Sequence, residues 1–194
     1  MYIIFEGIDT TGKSTQVELF KQRHQDVIAT KEPGGSSLGV KLREILLESD
    51  EKISINAELL LFLADRAEHY EKVVKISRDK SVVISDRGLI SGISYALANH
   101  SQLDMDFLTQ LNKFALDGRL PDKIVLFLTD DNLITSRLGN KKKDTIELRG
   151  IDYLLHVQDL MKSVLNSLHV DFLEVDSAQT IEEIYTQIED FIYG

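Results

Sequence analysis

The stretch that decides the fold lies near the amino terminus and reads Gly7-Ile8-Asp9-Thr10-Thr11-Gly12-Lys13-Ser14. It fits the pattern G-x-x-x-x-G-K-S/T and separates an apolar run at residues 2–6 from a helical pattern at residues 14–24. A glycine-rich turn between a strand and a helix directs backbone N–H groups and the helix amino terminus towards a bound phosphate. The sequence therefore predicts a loop that binds the phosphates of a nucleotide.

The residues of this loop have distinct expected roles. Lys13 is expected to bridge the β- and γ-phosphate oxygens of ATP, and the Ser14 hydroxyl is expected to bind Mg²⁺. A glycine turn without a ligand is the alternative, which the flanking strand and helix patterns disfavour. The residues predicted to bind ATP are Gly7, Ile8, Asp9, Thr10, Thr11, Gly12, Lys13, Ser14 and Thr15.

The rest of the chain alternates short apolar, β-branched runs with longer helical patterns, which is typical of βαβ units and a parallel sheet. The apolar runs are nearly continuous, as expected of strands that are covered on both faces. Strands are predicted at residues 2–6, 26–30, 81–85, 123–128 and 171–175. Helices are predicted at residues 14–24, 37–49, 56–79, 92–99, 105–116, 130–138, 151–168 and 180–192. The expected fold class is α/β: a three-layer α/β/α P-loop NTPase fold with a five-stranded parallel sheet and a helical lid.

Size and composition set limits on the function. The chain has 194 residues and no linker-like tract, so we expect a single domain over residues 1–194, with a polar lid segment at about 138–150. The absence of cysteine gives no sign of an oxidising compartment and favours a cytoplasmic location. The net charge of −10 argues against nucleic-acid partners. No stretch approaches the roughly 18 apolar residues of a membrane span, so no membrane partner is expected.

A second apolar run, at residues 82–85, ends in Asp86 and Arg87. This places a carboxylate at the carboxyl end of a predicted parallel strand, where open α/β sheets bind their ligands. Taken alone, such an acid is more often a turn or helix-cap residue. Together with the phosphate-binding loop, Asp86 is predicted to bind Mg²⁺ directly or through its waters.

The motifs of a GTP-dependent switch are missing from the sequence. The segment from Asn140 to Asp144 has the wrong spacing for N-K-x-D, and the D-x-x-G pattern from Asp9 to Gly12 lies inside the phosphate loop itself. Two classes remain open on these grounds: a kinase that acts on a small acceptor, and a nucleotide-binding regulator that shares the fold.

The sequence resembles the bacterial thymidylate kinases over essentially its whole length. The residues that carry the resemblance are Phe5-Glu6-Gly7-Ile8-Asp9, Lys31-Glu32-Pro33-Gly34-Gly35, Arg43, Phe62, Asp65-Arg66, Asp86-Arg87, Ser91, Tyr95 and Asp144-Thr145-Ile146-Glu147. The resemblance implies an enzyme that phosphorylates dTMP to dTDP with ATP and Mg²⁺, in the biosynthesis of dTTP. It also implies a homodimer.

The resemblance assigns roles around the acceptor phosphate. Asp9 is implied to meet the 3′-hydroxyl of the deoxyribose, Arg87 to hold the 5′-phosphate, and Glu32 to lie near Mg²⁺ and the acceptor. An arginine fork suits a phosphate group, since it donates two parallel hydrogen bonds. The catalytic residues are predicted to be Lys13, Arg87, Asp9 and Arg149.

The resemblance also assigns a base subsite. Phe62 is implied to stack on thymine, and Arg66, four residues later and on the same helix face, to donate to O4. Arg43 is implied to lie near the base and phosphate, Tyr95 to crowd the 2′-position, and Ser91 to line the acceptor site.

Plainer interpretations stay open for several of these residues. The apolar pattern around Phe62 is typical of a core residue. Arg66 and Arg43 would ordinarily be solvated, or paired with Asp65 and Glu44 respectively. The five histidines show no metal-like spacing, and we expect them at surface or helix-end positions; they are His24, His69, His100, His156 and His169.

The sequence departs from the family pattern at the base pocket and at the lid. Gly88, Gly92 and Ala96 stand where thymidylate kinases usually carry an aromatic residue, a polar residue and a glutamine. This leaves another nucleoside monophosphate or deoxynucleoside kinase as the alternative enzyme. The resemblance implies a transition-state cation from the phosphate loop or from the lid, and since this phosphate loop contains no arginine, the lid is the expected source. The candidates are Arg137, Lys141, Lys142, Lys143 and Arg149, of which Arg149 and Lys143 are favoured. A solvated basic loop without such a role is the alternative.

Overall fold

A computed structural model of the chain describes residues 1–49, 52–138 and 150–194. The strands are β1 (Tyr2–Glu6), β2 (Val27–Lys31), β3 (Val82–Asp86), β4 (Lys123–Leu128) and β5 (Asp171–Asp176). The helices are α1 (Lys13–Arg23), α2 (Ser37–Arg43), α3 (Ile55–His69), α4 (Lys75–Ser77), α5 (Leu89–Asn99), α6 (Met105–Ala115), α7 (Asp131–Leu138), α8 (Ile151–Ser167) and α9 (Ile181–Tyr193). Single π-helical turns at Glu44–Glu48 and Tyr70–Val74 extend α2 and join α3 to α4.

The five strands form one parallel sheet in the order β2-β3-β1-β4-β5. In the register of the two central strands, Phe5 of β1 pairs with Asp86 of β3. The segments that follow β1 and β3 therefore leave the sheet side by side at one edge. The predicted five-stranded parallel sheet is confirmed.

Side chains that alternate along β1 build two separate cores. Tyr2 and Ile4 belong to a buried cluster with residues of α5, α6 and α8, whereas Ile3 and Phe5 belong to a cluster with residues of α1 and α9. Successive strand residues point to opposite faces of a sheet. Helices therefore cover both faces, which confirms the predicted three-layer arrangement.

The prediction that every strand is covered on both faces is wrong for the two outer strands. Only Val27 is buried in β2 and only Val175 in β5, and Phe172 of β5 is 38% exposed. Each outer strand has a neighbour on one side alone, so the helices of the two outer layers shield it less completely. Strands β1, β3 and β4 lie in the middle of the sheet and are nearly fully buried.

Helix α5 begins at Leu89, three residues before the predicted start at Gly92. The carboxylate of Glu6, at the end of β1, accepts a hydrogen bond from the backbone N–H of Ile90 at 3.0 Å and another from the hydroxyl of Ser91. A carboxylate at a helix amino terminus satisfies N–H groups that have no partner within the helix. The cap comes from a residue distant in sequence, so the local pattern around Gly92 did not reveal it.

Apart from the start of α5 and the two helices predicted at residues 37–49 and 56–79, the helix boundaries lie within one residue of those predicted. The helix predicted at residues 37–49 and that at residues 56–79 each contain a π-helical turn. The lid predicted at about 138–150 lies, except for its two ends, outside the described residues. No helix in the described part of the chain is both long and apolar enough to cross a membrane.

Replacing Glu6 with alanine should destabilise the protein by about 1–3 kcal/mol, because it leaves the N–H of Ile90 and the hydroxyl of Ser91 without their acceptor. The measurement is the free energy of unfolding from urea titration. Glu18→Ala is the matched control, since the Glu18 side chain is 59% exposed and makes a 3.9 Å ion pair with Lys21. Equal midpoints for the two variants would show that the Glu6 cap does not stabilise α5.

Candidate active site

The predicted phosphate-binding loop has the backbone geometry that its glycines allow. Gly7 has φ 146°, and a Cβ there would lie 2.8 Å from the carbonyl oxygen of Phe127. Gly12 has φ 93° and directly precedes α1. Residues with a Cβ rarely adopt such positive φ values. Both glycines of the motif are therefore required by this backbone.

Lys13 lies at the start of α1 with its side chain folded back over the loop. Its Nζ donates to the carbonyl oxygen of Ile8 at 2.7 Å and to the hydroxyl of Thr11 at 3.3 Å. Burial, and next the nearby Arg87 guanidinium, lower the pKa of Lys13 to about 8. The ammonium group thus lies inside the loop, at the place where phosphate oxygens would replace its backbone partner.

Ser14 and Asp86 meet at the base of the loop. The Ser14 hydroxyl donates to Oδ2 of Asp86 at 2.5 Å. Mg²⁺ prefers oxygen ligands and is commonly bound by one or two protein oxygens together with substrate phosphates and water. A hydroxyl and a carboxylate at this distance beside the phosphate loop fit that donor set, so Ser14 and Asp86 are the residues that would hold the ion.

Arg87 connects the end of β3 to the phosphate loop. Its guanidinium donates to the carbonyl oxygen of Gly7 at 3.0 Å, to the hydroxyl of Ser91 at 3.1 Å and to Oδ1 of Asp9 at 2.5 Å. It also lies 5.7 Å from the centre of the Tyr95 ring. Arg87 has φ 69°, an uncommon conformation for a residue with a side chain. These contacts hold its guanidinium in a fixed place beside the loop.

The pKa values of Asp9 and Arg87 move apart. Burial alone would raise the pKa of Asp9, but the Arg87 guanidinium, with Lys13, holds it below its usual range. Burial alone would lower the pKa of Arg87, but nearby acidic groups, led by Asp9, raise it. Both groups therefore remain ionised around neutral pH, and the pair lies within the cleft as a cation and an anion.

A cleft of about 610 Å³ joins these residues. Its wall contains residues 9–15 of the loop and the two arginines predicted near the acceptor phosphate, Arg43 and Arg87. Phe62, Arg66, Ser91 and Tyr95 do not line it. The lining residues are Asp9, Thr10, Thr11, Gly12, Lys13, Ser14, Thr15, Gln16, Lys31, Glu32, Arg43, Asp86, Arg87, Arg137, Ser177, Gln179, Ile181 and Ile184.

The Glu-Pro-Gly-Gly segment after β2 packs against the side chains of α3. Arg66 is 4% exposed and donates through Nε to Oε2 of Glu32 at 2.8 Å, so the interpretation that pairs Arg66 with Asp65 is wrong. Asp65 instead accepts from the N–H of Gly34 at 2.9 Å. His69 is fully buried and lies 2.8 Å from Oε1 of Glu32. Its burial rules out a surface position, whereas the expected helix-end position is confirmed, since His69 is the last residue of α3.

Arg43, Ser91 and Phe62 are further residues predicted to contact the acceptor. Arg43 donates to the carbonyl oxygen of Pro33 at 3.0 Å rather than pairing with Glu44. Ser91 is buried between Glu6 and Arg87. Phe62 is half-buried and is not a member of either buried core cluster, so the core interpretation does not describe it.

Arg137 and the segment after β5 complete the far side of the cleft. The Arg137 guanidinium donates to the carbonyl oxygens of Thr10 and Ser177, each at 2.8 Å. Sequence reasoning named Arg137 but missed Ser177, Gln179 and Ile181. The signal that could have found them is their position just beyond the carboxyl end of a parallel strand, where such sheets bind ligands. The other lid candidates, Lys141, Lys142, Lys143 and Arg149, lie outside the described residues.

Because the loop between β1 and α1 faces Asp86 and Arg87 across one cleft, the chain is a P-loop nucleotide-binding protein of the α/β class. A sequence profile of the thymidylate kinase family matches residues 5–188. The thymidylate kinases of Campylobacter curvus (strain 525.92) and Sulfurovum sp. (strain NBC37-1) are 50% and 53% identical over 193 and 192 residues, with 99% of each chain covered. The structure of a thymidylate kinase from Ehrlichia chaffeensis matches with a TM-score of 0.77 and 26% identity, and covers 100% of this chain and 98% of that one. The chain belongs to the thymidylate kinase family.

The affinity of the ligand-free protein for ATP should fall as pH rises above about 8, because Lys13 must be protonated to bind phosphate oxygens. Bound phosphate raises the Lys13 pKa, so the association constant should drop about tenfold per pH unit above that value. The measurement is calorimetric titration from about pH 7 to about pH 9.5. Lys13→Met should abolish this fall of the association constant with pH. Lys31→Met, at another lysine of the cleft wall, should leave the fall unchanged. A flat profile in the unmodified protein would exclude Lys13 as the titrating group.

Proposed function

We propose that the chain transfers the γ-phosphoryl group of ATP to the 5′-phosphate of dTMP in the cleft between the phosphate loop and Arg87. Phosphorylation of dTMP to dTDP for dTTP synthesis is the activity of the family, and the chain is a dTMP kinase. The observation that carries the site assignment is the position of Arg87. Its guanidinium contacts Gly7 of the donor loop and Asp9 at once, so an acceptor phosphate bound there lies beside the donor phosphates.

On the donor side, the loop residues Gly7 to Thr15 surround the triphosphate of ATP. Lys13 exchanges its contact with the carbonyl oxygen of Ile8 for contacts with phosphate oxygens, where its positive charge offsets charge on the transferred group. Ser14 and Asp86 would hold Mg²⁺, which neutralises phosphate charge and orients the phosphates when it is bound. Arg137, Ser177 and Gln179 also line the cleft and are candidates to meet the nucleoside of ATP.

On the acceptor side, Arg87 holds the dTMP phosphate in line with the γ-phosphorus. An oxygen of that phosphate forms the new bond to the γ-phosphorus, while the bond from the γ-phosphorus to the β,γ-bridging oxygen breaks and ADP leaves. The attacking oxygen is already anionic, so no general base is needed. Positioning and charge stabilisation make up most of what such a transfer requires from a protein.

The base and sugar of dTMP are assigned to residues behind this phosphate site. Asp9 is proposed to meet the 3′-hydroxyl, Tyr95 to lie against the 2′-position, and Phe62 to stack on thymine. Arg66 is proposed to donate to O4, with Arg43 near the phosphate end. The half-buried position of Phe62 and the buried guanidinium of Arg66 support a pocket wall in this region.

Further parts of the assignment rest on the sequence and on its resemblance to the family. We propose one kinase domain over residues 1–194 with a lid at about 138–150, in which Arg149 and Lys143 are the candidates for the transition-state cation. A cytoplasmic location is also proposed, supported by the absence of cysteine from the sequence.

Two other functions are distinguishable from this one. A kinase for another nucleoside monophosphate would use the same phosphate site with a different base pocket. Gly92 and Ala96, which depart from the usual thymidylate kinase pattern, are the residues that leave this alternative open. A nucleotide-binding regulator would bind ATP without acceptor-dependent turnover. Family membership over nearly the whole chain favours the dTMP kinase.

Formation of ADP from ATP and Mg²⁺ should be fast with dTMP and slow with dUMP, dCMP, dGMP, UMP or no acceptor. The measurement is a coupled ADP assay with all acceptors in parallel. Arg87→Lys is the control for contaminating kinases, because a lysine cannot form the paired hydrogen bonds of the guanidinium and should lose most of the dTMP-dependent rate. Turnover with another monophosphate would show that the base assignment is wrong, and none with any acceptor would favour the regulator.

We also propose that the chain forms a homodimer through the outer face of α6 and the adjacent α3. Phe107 and Phe114 lie seven residues apart on one face of α6 and are 53% and 85% exposed. Leu60 of α3, which packs against α6, is 61% exposed. Large apolar side chains grouped on a surface are typical of protein interfaces.

Phe114→Lys should shift the protein from dimer to monomer, because it places a charge in the proposed interface. Sedimentation equilibrium measures the mass. Ile76→Lys is the matched control, since Ile76 is 66% exposed but lies on α4. A wild-type protein of monomer mass, or a variant Phe114→Lys that stays dimeric, would contradict the proposed interface.

A further inference from the structure

A buried polar network lies behind the cleft. It consists of five side chains that hydrogen-bond to one another and that we name the Glu32 network: Thr30, Glu32, Arg66, His69 and Asn112. Apart from the half-buried Thr30, each member is at most 4% exposed. Burying charged groups is unfavourable unless each finds a partner, so such a network needs a physical reason.

Glu32 is the centre of the network and uses both carboxylate oxygens within the protein. Oε2 accepts from Nε of Arg66, and Oε1 lies against Nδ1 of His69, each at 2.8 Å. Burial alone would raise the pKa of Glu32, but Arg66 and His69 together hold it below its usual range. Because both oxygens of the ionised Glu32 carboxylate bind side chains of α3, this carboxylate holds that helix in position. This favours a positioning role over the direct contact with Mg²⁺ or acceptor that the resemblance implied.

His69 is held from three directions. Because Nδ1 faces a carboxylate, that nitrogen carries a proton and donates to Glu32. The other ring nitrogen, Nε2, lies 2.8 Å from the hydroxyl of Thr30 on β2. A Cβ on Gly35 would lie 2.4 Å from Cδ2 of the ring, so the glycine loop packs directly on the ring edge. The ring therefore fixes the position of Oε1 of Glu32 and leaves Oε2 for Arg66.

Arg66 is fixed at the other side of the network. NH1 donates to Oδ1 of Asn112, whose own amide nitrogen donates to the carbonyl oxygen of Leu108 at 2.8 Å. That second bond sets the side-chain amide with its oxygen towards Arg66. A Cβ on Gly92 would lie 3.0 Å from NH1 and 3.1 Å from NH2, so the guanidinium lies directly over Gly92. Because residue 92 has no side chain, there is room for the Arg66 guanidinium at this position.

We propose that His69 is a positioning residue for recognition of the pyrimidine: it holds Glu32, and Glu32 aligns the Arg66 guanidinium towards the base. The proposal rests on the proposed function, in which Arg66 donates to O4 of thymine. A guanidinium only donates hydrogen bonds. It therefore favours a pyrimidine with a carbonyl oxygen at position 4 over one with an amino group there, provided that its orientation is fixed.

Two substitutions at His69 separate its two hydrogen bonds. In His69→Asn the side-chain amide nitrogen takes the place of Nδ1 and keeps a donor for Glu32. In His69→Gln the amide reaches the place of Nε2 and keeps the partner of Thr30, but the donor to Glu32 is lost. The two variants thus differ in whether Glu32 remains held.

His69→Gln should raise KM for dTMP about tenfold and reduce the preference for dTMP over dCMP by a similar factor. KM for ATP, and kcat at saturating substrates, should stay within about twofold of the wild-type values. His69→Asn should recover most of the lost preference. The measurements are steady-state kinetics with each acceptor, together with thermal unfolding and calorimetric binding of ADP to each variant.

A residue with a structural role alone would give a different result. Both variants would then lower the unfolding temperature and affect ATP and dTMP alike, with no change in the preference over dCMP, and the proposal would be overturned. If His69→Gln does not fold, Glu32→Gln decides instead, because it keeps the shape of the side chain but removes one of the two acceptor oxygens that bind Arg66 and His69. It should raise KM for dTMP and lower the preference, and unchanged values would overturn the proposal. A wild-type protein without dTMP-dependent turnover would instead contradict the proposed function itself.

Discussion

The exchange of side chains between the carboxyl ends of β1 and β3 is the constraint on which the active site depends. Glu6, the last residue of β1, caps α5, which follows β3. Arg87, the first residue after β3, reaches back to the carbonyl oxygen of Gly7, the first residue after β1. The parallel register that pairs Phe5 with Asp86 brings these residues to the same edge. Two strands that are distant in sequence thereby fix each other's loops, and the proposed donor and acceptor sites both depend on these contacts.

The site concentrates positive charge in a protein whose net charge is −10. Lys13, Arg43, Arg87 and Arg137 all line the cleft, and each has oxygen partners in the described contacts. Most of those partners are backbone carbonyl oxygens, which carry only partial charge. The cations therefore keep much of their attraction for an anionic ligand, whereas a full set of carboxylate partners would cancel it. Local placement rather than net charge lets an acidic protein bind two anions.

The sequence predicted the parts of this arrangement that rest on local pattern. The predicted strands at residues 2–6 and 123–128 coincide with β1 and β4, and the phosphate loop lies where its motif placed it. The errors concern long-range partners. The partner of Arg66 is Glu32 rather than its neighbour Asp65, and His69, expected at the surface or at a helix end, lies at the end of α3 but is buried by a loop far away in the chain. A single sequence contains the identity of such residues but not their pairing, because pairing depends on how the helices pack.

The two halves of the site differ in how much they must change when ligands bind. Lys13 is bonded to its own loop and has a lowered pKa, so donor phosphates must displace a backbone contact and restore the full charge of the lysine. Arg87 has contacts to Gly7, Asp9 and Ser91, and behind it the Glu32 network fixes Arg66, so these groups already have defined positions. Groups that are ordered before binding lose less entropy when the ligand arrives. In the proposed assignment, the acceptor side is therefore preorganised for selection among nucleotides, while the donor side responds to phosphate charge, which every nucleoside triphosphate carries.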